Sequence, residues 1–370
     1  MADRLRALFV NEGALGTGVL GHMRVGETLE ARFRDGELDP RFAVLPPMSA
    51  ATRLAVRQVP GLGHADLDLQ TVRWHVAQAL RARRIVREKL RQRPEDVLHL
   101  HAHTIGFLLR DVMVRVPTLL SVDATVRDWH AMGIWRRTRP YSRAAIAPSL
   151  ALERRAFAAA AGVLAFTGWT RRAVEQACPS ARVVEHHPGV DLVRFRPGPK
   201  SPDRPRVLFV GGRFAEKGGN DVLAALGPHA GRELELDLVT PAPVSPPPDV
   251  RVHRLGPEDP GLTELYRRAD VFCLPTYGDA VPFSVVEAMA CGAAVVATPV
   301  GAIPELIDGA GRLVPAGDPR ALREAVLALA GDAAARSAHG AAGRARCEGR
   351  YDAAVQGRRL VEILHDAARR

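Results

Sequence analysis

Two cations in a glycine-rich segment have the types and the spacing to bind an anion. Arg213 and Lys217 lie four residues apart in VLFVGGRFAEKGGND (207–221), between two Gly-Gly pairs. The segment predicts a strand, a turn and a helix that begins near Asn220. Amides at a helix N-terminus attract phosphate, a guanidinium adds a planar fork and an ammonium adds a point charge, so the segment fits a diphosphate. The alternative is a plain strand-to-helix turn with both cations in solvent.

Two carboxylates follow in a second segment, ADVFCLPTYGDAVPFSVVEAMACGAAVVAT (269–298). The pattern predicts a strand, then a loop that carries Asp279, then a helix that begins near Ser284 and contains Glu287. A carboxylate accepts hydrogen bonds from the hydroxyls of a sugar or a ribose. For Glu287 alone, compensation of the helix dipole is the alternative.

A third glycine-rich segment, GALGTGVLGH (13–22), follows an apolar run near the N-terminus. Its glycines spell G-x-G-x-x-G, the fingerprint of NAD- or FAD-binding sheets. Such a sheet also needs an acidic residue at the end of its second strand, to accept the ribose hydroxyl. The second predicted strand, RFAVLPP (41–47), ends in prolines, so the segment favours a loop at another ligand or a plain turn over a dinucleotide site.

Length and composition limit the class of protein. A chain of 370 residues is long enough for two domains, and 47% apolar residues is typical of a globular protein. No apolar stretch approaches the ~20 residues that span a bilayer, and the N-terminal residues do not predict a signal peptide. The four cysteines lack a paired spacing, which predicts buried free thiols in a reducing cytoplasm.

The net charge of +10 includes two basic clusters in the first half, RARRIVREKLRQR (81–93) and WRRTRPYSR (135–143). Such clusters attract nucleic acid, anionic lipid or phosphorylated ligands. No zinc-knuckle, RNP or helix-turn-helix signature accompanies them, so we expect no nucleic-acid partner. A solvated helix face and peripheral contact with an anionic membrane are the alternatives.

Strand-like and helix-like segments alternate through both halves, which is typical of parallel sheets covered by helices. Strands are expected at 7–10, 41–46, 97–102, 118–123, 162–167, 182–186, 206–211, 235–239, 250–254, 271–275, 293–297 and 312–315. We predict an α/β protein with a Rossmann-like domain at 1–195, a linker at 196–206, a second such domain at 207–348 and a C-terminal helix at 349–370 that packs back toward the first domain. We expect the two doubly wound domains to face each other across an interdomain cleft, which is the default ligand site.

Four stretches resemble the retaining glycosyltransferases of family 4, which have the GT-B fold. They are EHHPGVDLVRFRPGP (185–199), GGRFAEKGG (211–219), LPTYGDAVPFSVVEAMACGAAVVATPVGAIPELI (274–307) and GRLVPAGDPRALREAV (311–326). The resemblance is specific across about 182–330 and is one of pattern in the first domain. It implies transfer of a sugar from a nucleotide-diphospho-sugar to a hydroxyl acceptor, with retention of anomeric configuration and without a metal ion.

The resemblance also implies roles for residues. Arg213 and Lys217 match the pair that grips the donor diphosphate, and Glu287 matches the second carboxylate of an E-x7-E motif, which holds the ribose. Asp279 replaces the first glutamate, which contacts the donor sugar, and this departure leaves the identity of the sugar open. The other expected donor contacts are Gly16 and Gly18 in the first-domain loop, Gly212, Arg254 and Leu255 near the nucleobase, and Pro282, Phe283 and Ser284 at the helix start.

The first domain is expected to supply the acceptor contact. Asp123 ends a predicted strand in PTLLSVDATVRDWH (117–130), a region in which similar proteins often have a histidine. We expect its carboxylate to contact the donor sugar or the reacting hydroxyl. A cap for the following turn is the alternative.

Two patterns could suggest a metal ion. His99, His101 and His103 share one face of a strand end, but structural zinc normally needs a fourth ligand, so we expect packed or cleft-lining side chains. The D-x-D pattern occurs as DLD at 66–68, in a polar loop far along the chain from the donor segments. We therefore predict no metal site.

These observations predict a cytoplasmic, metal-independent, retaining glycosyltransferase. UDP is the first expectation for the nucleotide, with GDP or ADP as alternatives. A non-catalytic protein of the same fold that binds a nucleotide-sugar or a polyanion is a second hypothesis, because the first glutamate is replaced. An enzyme at the inner membrane face that glycosylates a lipid is a third, because of the basic clusters. The sequence does not identify the sugar, the base, the acceptor or the oligomeric state.

Overall fold

The computed structural model describes residues 4–11, 38–59, 62, 68–133, 142–187, 189–200 and 203–370. The chain divides into two compact units, one formed by Met1–His187 with Gly357–Arg370 and the other by Pro188–Gln356. The divisions therefore fall at 187/188 and 356/357, whereas we predicted them at 195 and 348. Gly16 and Gly18 lie outside the described residues.

The first unit is built on a parallel sheet. Its strands are Leu5–Asn11 (β1), Leu38–Val44 (β2), Val97–His101 (β3), Thr118–Val122 (β4), Gly162–Ala165 (β5) and Val183–Glu185 (β6). Within the described residues these six strands pair in the order β2-β1-β3-β4-β5-β6. Because helices cover both faces of such a sheet, its strands are apolar along most of their length, as in β4.

Two separate cores lie against this sheet. Before Pro188, the helices of this unit are Ala50–Ala55 (α1), Gln70–Gln92 (α2), Arg110–Met113 (α3), Val126–Met132 (α4), Ser142–Ala159 (α5) and Gly168–Ala177 (α6), with a 3₁₀ turn at His103–Gly106. In α2, Ala79, Ala82 and Val86 recur at helical spacing and are buried in the first core. In the second core, Leu360 and Leu364 from the last helix of the chain are packed with Phe9 of β1.

The second unit repeats the same architecture. Its strands are Arg206–Val210 (β7), Glu235–Val239 (β8), Val250–His253 (β9), Val271–Leu274 (β10), Ala294–Ala297 (β11) and Gly311–Leu313 (β12). They form a six-stranded parallel sheet in the order β12-β11-β10-β7-β8-β9 within the described residues. From β7 the chain adds β8 and β9 on one side and then crosses to β10 on the other. The β7–β10 pair is therefore the switch point, and ligands of such sheets bind beyond the carboxyl ends of the strands there.

Local sequence sets where the helices of this unit begin. They are Gly219–Leu226 (α7), Pro260–Arg268 (α8), Phe283–Ala290 (α9), Ile303–Leu306 (α10), Pro319–Gly331 (α11) and Ala333–Arg346 (α12), with a 3₁₀ turn at Gly227–His229 and a π turn at Cys347–Tyr351. The last helix, Ala353–Ala368 (α13), begins in this unit and belongs to the first unit from Gly357 onward. Asp259 and Asp318 each accept a hydrogen bond from a backbone amide of the helix that follows, and each precedes a proline in the first turn. None of the described helices is both long and apolar enough to cross a bilayer.

The two sheets confirm the predicted α/β class with two Rossmann-like domains. The prediction of buried free thiols is also confirmed, for Cys178, Cys273, Cys291 and Cys347. Burial raises the pKa of the Cys273 thiol to about 12, so that side chain stays protonated and unreactive at neutral pH.

Candidate functional site

The loop after β7 places Arg213 and Lys217 at the carboxyl end of a switch-point strand. The backbone N–H of Lys217 donates to the carbonyl oxygen of Arg213 at 2.9 Å, which closes a tight turn. Gly218 has a φ of +79°, and a Cβ there would lie 2.1 Å from the carbonyl oxygen of Pro275. Pro275 begins the loop after β10, so glycine at 218 allows the two loops to touch.

Each cation of this turn meets a carboxylate. Lys217 Nζ donates to Oδ2 of Asp279, on the loop after β10, and both side chains are 17% exposed. Arg213 Nη1 lies 2.8 Å from Oε2 of Glu216 on the same turn, and these side chains are 37% and 41% exposed. The structure thus brings the predicted Lys217 and Asp279 together. It also gives Arg213 a partner, Glu216, that we did not single out in the sequence, although the i,i+3 spacing is a signal for it.

Thr276 fixes the loop after β10 to the loops on both sides of it. Its Oγ1 lies 3.3 Å from the carbonyl oxygen of Glu216, and its own carbonyl oxygen accepts from Thr298 Oγ1 at 2.6 Å. The loop after β11 approaches as closely, because a Cβ on Gly301 would lie 2.1 Å from the carbonyl oxygen of Asp279. The main chain that carries Asp279 is therefore held from both sides.

The helix after this loop positions Glu287. It is the fifth residue of α9, and its side chain is half-buried. Pro282, at the N-cap, is buried and provides no side-chain cap, while Phe283 and Ser284 of the first turn are half-buried. The N-terminal end of α9 therefore adds its positive dipole to the edge of the sheet where Lys217 lies. The predicted helix start, near Ser284, is confirmed to within one residue.

Two further predicted donor contacts lie on the loop after β9. Arg254 is exposed, and its Nη1 donates to the carbonyl oxygens of Pro241 at 2.8 Å and Ala242 at 3.3 Å, which fastens the loops after β8 and β9 together. Leu255 is half-buried. Gly212 is exposed and has no atom within 4 Å of an added Cβ, so packing does not require a glycine there.

In the first unit, Asp123 follows β4 and is held tightly. Its carboxylate accepts from the Ala124 amide at 2.7 Å, and its carbonyl oxygen accepts from Thr170 Oγ1 at 2.7 Å. The cap of the following helix, α4, is Thr125, whose Oγ1 accepts from the amide of Asp128. Helix capping therefore falls to Thr125, which leaves the candidate role of Asp123 open.

A buried carboxylate that we did not select from the sequence supports this loop. Glu153 of α5 is 1% exposed, and its Oε1 accepts from the Val126 amide at 2.7 Å. The same oxygen lies 2.8 Å from Nε2 of His103. Glu153 thus joins the start of α4 to the 3₁₀ turn after β3. Its position in a charged and apolar helix, LERRAF, gave no signal of burial.

The three histidines divide between two environments. His99 and His101 stay on β3, with ring centroids 4.3 Å apart, and His99 Nε2 lies 2.8 Å from Oγ of Ser121. Ala102 has a φ of +106°, which ends the strand and turns His103 away toward Glu153. Within the described ranges, no group of three or more His, Cys, Asp or Glu side chains has the geometry to hold a metal ion.

Of the DLD segment at 66–68, the structure describes Asp68, whose carboxylate is engaged by neighbouring groups of the protein. Asp68 accepts hydrogen bonds from the amides of Val59 at 3.0 Å and Gln70 at 3.3 Å, and it lies 3.6 Å from Nη2 of Arg73. Residues 66 and 67 lie outside the described residues.

The first basic cluster, 81–93, lies on α2 and at its end. Arg87 pairs with Asp111 at 2.6 Å, and Arg93 pairs with Glu95 at 2.8 Å, so part of its charge is balanced inside the unit. Most of the second cluster, 135–143, lies outside the described residues.

Comparisons with known proteins bear on the second unit and on the fold. Residues 204–332 match the family profile described as Glycosyl transferases group 1. A D-inositol 3-phosphate glycosyltransferase of Kribbella flavida is 31% identical over 201 residues, which cover 46% of this chain and 47% of that protein. The match thus spans about half the length of that relative. A protein of the same name from Nocardia farcinica is 28% identical over 382 residues, covering 89% of this chain and 82% of that protein.

Among solved structures, HepE of Anabaena in complex with UDP aligns with a TM-score of 0.70 at 15% identity, and the alignment covers 98% of this chain and 100% of that chain. At this identity the likeness concerns the fold. The two parallel sheets and this alignment show the GT-B fold. The region that matches the group 1 profile contains Arg213, Lys217, Asp279 and Glu287.

Proposed function

We propose that the protein is a retaining glycosyltransferase of family 4 that transfers a sugar from a nucleoside-diphosphate sugar to a hydroxyl acceptor without a metal ion. The observation that carries the proposal is the contact of Lys217 with Asp279 at the carboxyl ends of the switch-point strands, with Arg213 on the same turn. Cations beside carboxylates fit a ligand that is both anionic and rich in hydroxyls. The group 1 match and the UDP bound to HepE support a nucleotide-sugar donor.

The proposed chemistry depends on charge that develops on the leaving diphosphate. Arg213 and Lys217 stabilise that charge from fixed positions, and the N-terminus of α9 adds its dipole. Glu287 accepts hydrogen bonds from the ribose, and Asp279 accepts them from the transferred sugar. In this proposal Arg213 and Lys217 provide the positive charge at the phosphate that a metal ion would otherwise supply. The acceptor oxygen bonds to the anomeric carbon from the face that the diphosphate leaves, while the bond from that carbon to the phosphate oxygen breaks. The hydroxyl proton passes to the departing diphosphate, so configuration is retained without a nucleophile from the protein.

The acceptor side of the proposal rests on Asp123, whose loop is fixed by Thr170 and Glu153. Its carboxylate would contact the donor sugar or the reacting hydroxyl. UDP-sugars are the first donors to test, followed by GDP- and ADP-sugars. Because two relatives are named D-inositol 3-phosphate glycosyltransferases, phosphorylated inositols and sugar phosphates are the first acceptors to test. A cytoplasmic location is part of the same proposal.

The test is turnover of each donor, alone and with each acceptor, by the wild type and by Lys217→Ala and Glu287→Ala. Each variant should lose about 10²- to 10³-fold in kcat, the scale of one lost transition-state donor. Arg320→Ala is the control, because Arg320 is an exposed cation paired with Glu324 at 2.8 Å outside the site. Full activity of both site variants would refute the assigned roles.

A non-catalytic binding protein is the second candidate, and a specific observation favours it. Asp279 is shorter than the usual glutamate and is already engaged by Lys217. Tight UDP binding in calorimetry, with no turnover of any donor on any acceptor, would select this candidate. The lipid-acceptor alternative is tested separately by flotation with anionic vesicles, where binding at low salt should be lost at high salt. Absence of flotation at low salt would remove it.

A further inference from the structure

Glu216 engages the guanidinium that we assign to the donor diphosphate. Its Oε2 lies 2.8 Å from Nη1 of Arg213, and both side chains are more than a third exposed, at 41% and 37%. We propose that Glu216 is an affinity-determining residue of the donor site, a carboxylate that competes with the diphosphate for Arg213. The inference rests on the proposed function, because it takes a diphosphate as the ligand.

The shape of the turn does not depend on the Glu216 carboxylate. The carbonyl oxygen of Glu216 accepts from the Tyr277 amide at 3.0 Å, and the Lys217 amide donates to the carbonyl oxygen of Arg213 at 2.9 Å. Main-chain bonds of this kind survive when only the side chain is changed. Removing the negative charge at 216 therefore alters the electrostatics of Arg213 while the backbone around it stays in place.

The four charges of the turn and its neighbouring loop sum to zero. Lys217 is paired with Asp279 and Arg213 with Glu216. A diphosphate that contacts both cations brings its negative charge next to both carboxylates. Asp279 is 17% exposed and lies on a loop held from both sides, whereas Glu216 is 41% exposed and has solvent to turn into. Glu216 is therefore the carboxylate that leaves when the diphosphate binds, and Arg213 then offers its planar fork to phosphate oxygens.

The opposite role, in which Glu216 orients Arg213 for the ligand, predicts the opposite sign. If Glu216 competes with the ligand, the Glu216→Gln variant binds a diphosphate more tightly than the wild type. If Glu216 orients Arg213, the same variant binds a diphosphate more weakly. Exposed ion pairs contribute modest amounts, so the expected gain is about 1.4- to 5-fold in affinity.

The experiment is titration calorimetry of UDP and of uridine with the wild type, Glu216→Gln and a control, Glu264→Gln. Glu264 is a comparable carboxylate outside the site, since it lies 3.3 Å from Arg267, three residues away, and 3.7 Å from Arg268, and its side chain is 44% exposed. We expect UDP to bind Glu216→Gln more tightly than the wild type, with uridine unchanged and the control unchanged. The gain should shrink at ~0.5 M salt, where exposed charges are screened. An unchanged melting temperature would show that Glu216→Gln keeps the fold.

Two failures are distinguishable in this design. If the wild type binds UDP and Glu216→Gln binds it equally well or less well, the competition is refuted and the proposed function stands. GDP and ADP are titrated in the same way if UDP does not bind. If the wild type binds none of the three, the proposed function fails, and the role of Glu216 fails with it.

Discussion

Replacing Gly218 by alanine tests whether the close approach of the loops after β7 and β10 builds the site. The φ of +79° at this position means that alanine must adopt a left-handed backbone, at a cost of about 1–2 kcal/mol. The new methyl would also lie 2.1 Å from the carbonyl oxygen of Pro275, so one loop must move, and such overpacking costs about 1–3 kcal/mol. The free energy of unfolding should fall by about 2–5 kcal/mol, which lowers the melting temperature by about 4–20 °C for a unit of this size.

Two other glycines of the same unit separate these contributions. Gly309 also has a φ of +79° but no atom within 4 Å of an added Cβ, so Gly309→Ala should show the backbone cost alone. Gly212 has neither constraint, and Gly212→Ala should change stability by less than about 0.5 kcal/mol. Thermal unfolding followed by circular dichroism, with UDP titration in parallel, gives both readouts. UDP should bind more weakly to Gly218→Ala than to Gly309→Ala, because Lys217 moves with the loop. If Gly218→Ala is as stable as Gly309→Ala, the contact with Pro275 is refuted.

Two further predictions concern buried carboxylates. Glu153→Ala removes the acceptor of the Val126 amide and the carboxylate that lies beside the buried His103, so urea unfolding should show a loss of about 3–5 kcal/mol, while Glu153→Gln, which can still accept from the amide, should lose less. Burial raises the pKa of Asp237, but hydrogen bonds from Arg251 and His253 outweigh it and hold that pKa below 3.8. The stability from Asp237 is therefore full above about pH 4 and is lost as the pH falls through its lowered pKa. Asp237→Asn should flatten this acid limb of the stability profile, and an unchanged limb would contradict the assignment.

The order of strands and helices could be predicted because each strand is a short apolar run between turn residues. Residues 235–239 were predicted as a strand and form β8 with the same bounds. The second strand shows the limit of the method, since we expected it at 41–46 and it runs over Leu38–Val44. Its second and third residues are Asp39 and Pro40, a pair that resembles a turn. Arg93 pairs with Asp39 at 2.5 Å, and this contact with a distant residue makes the polar start compatible with a strand.

The residue types of the site could be predicted, whereas their pairing could not. Arg213, Lys217 and Asp279 lie next to strand ends that the sequence marks clearly. The pairing of Lys217 with Asp279 depends on the adjacency of β7 and β10, which is a property of the sheet order. We expected His103 to share a strand face with His99 and His101, but Ala102 adopts a φ of +106° and turns His103 off that face. Alanine rarely adopts this conformation, so the sequence did not indicate a turn at this position.

The contacts that hold the loops after β7 and β10 determine whether a substitution at Lys217 affects ligand binding without affecting the stability of the fold. The main chain of the loops after β7 and β10 is joined by the hydrogen bond from the Tyr277 amide to the Glu216 carbonyl oxygen and by the close approach of Gly218 to Pro275, and neither contact involves the ammonium group of Lys217. Lys217→Ala removes an ion pair whose two side chains are each 17% exposed, and the change in melting temperature measures the contribution of that pair to folding. A loss of 10²-fold or more in turnover corresponds to at least about 2.7 kcal/mol, which can be compared with the measured loss in folding free energy. A large kinetic loss in Lys217→Ala with a nearly unchanged melting temperature would therefore report the interaction with the diphosphate, because the loop that carries the residue does not need its charge.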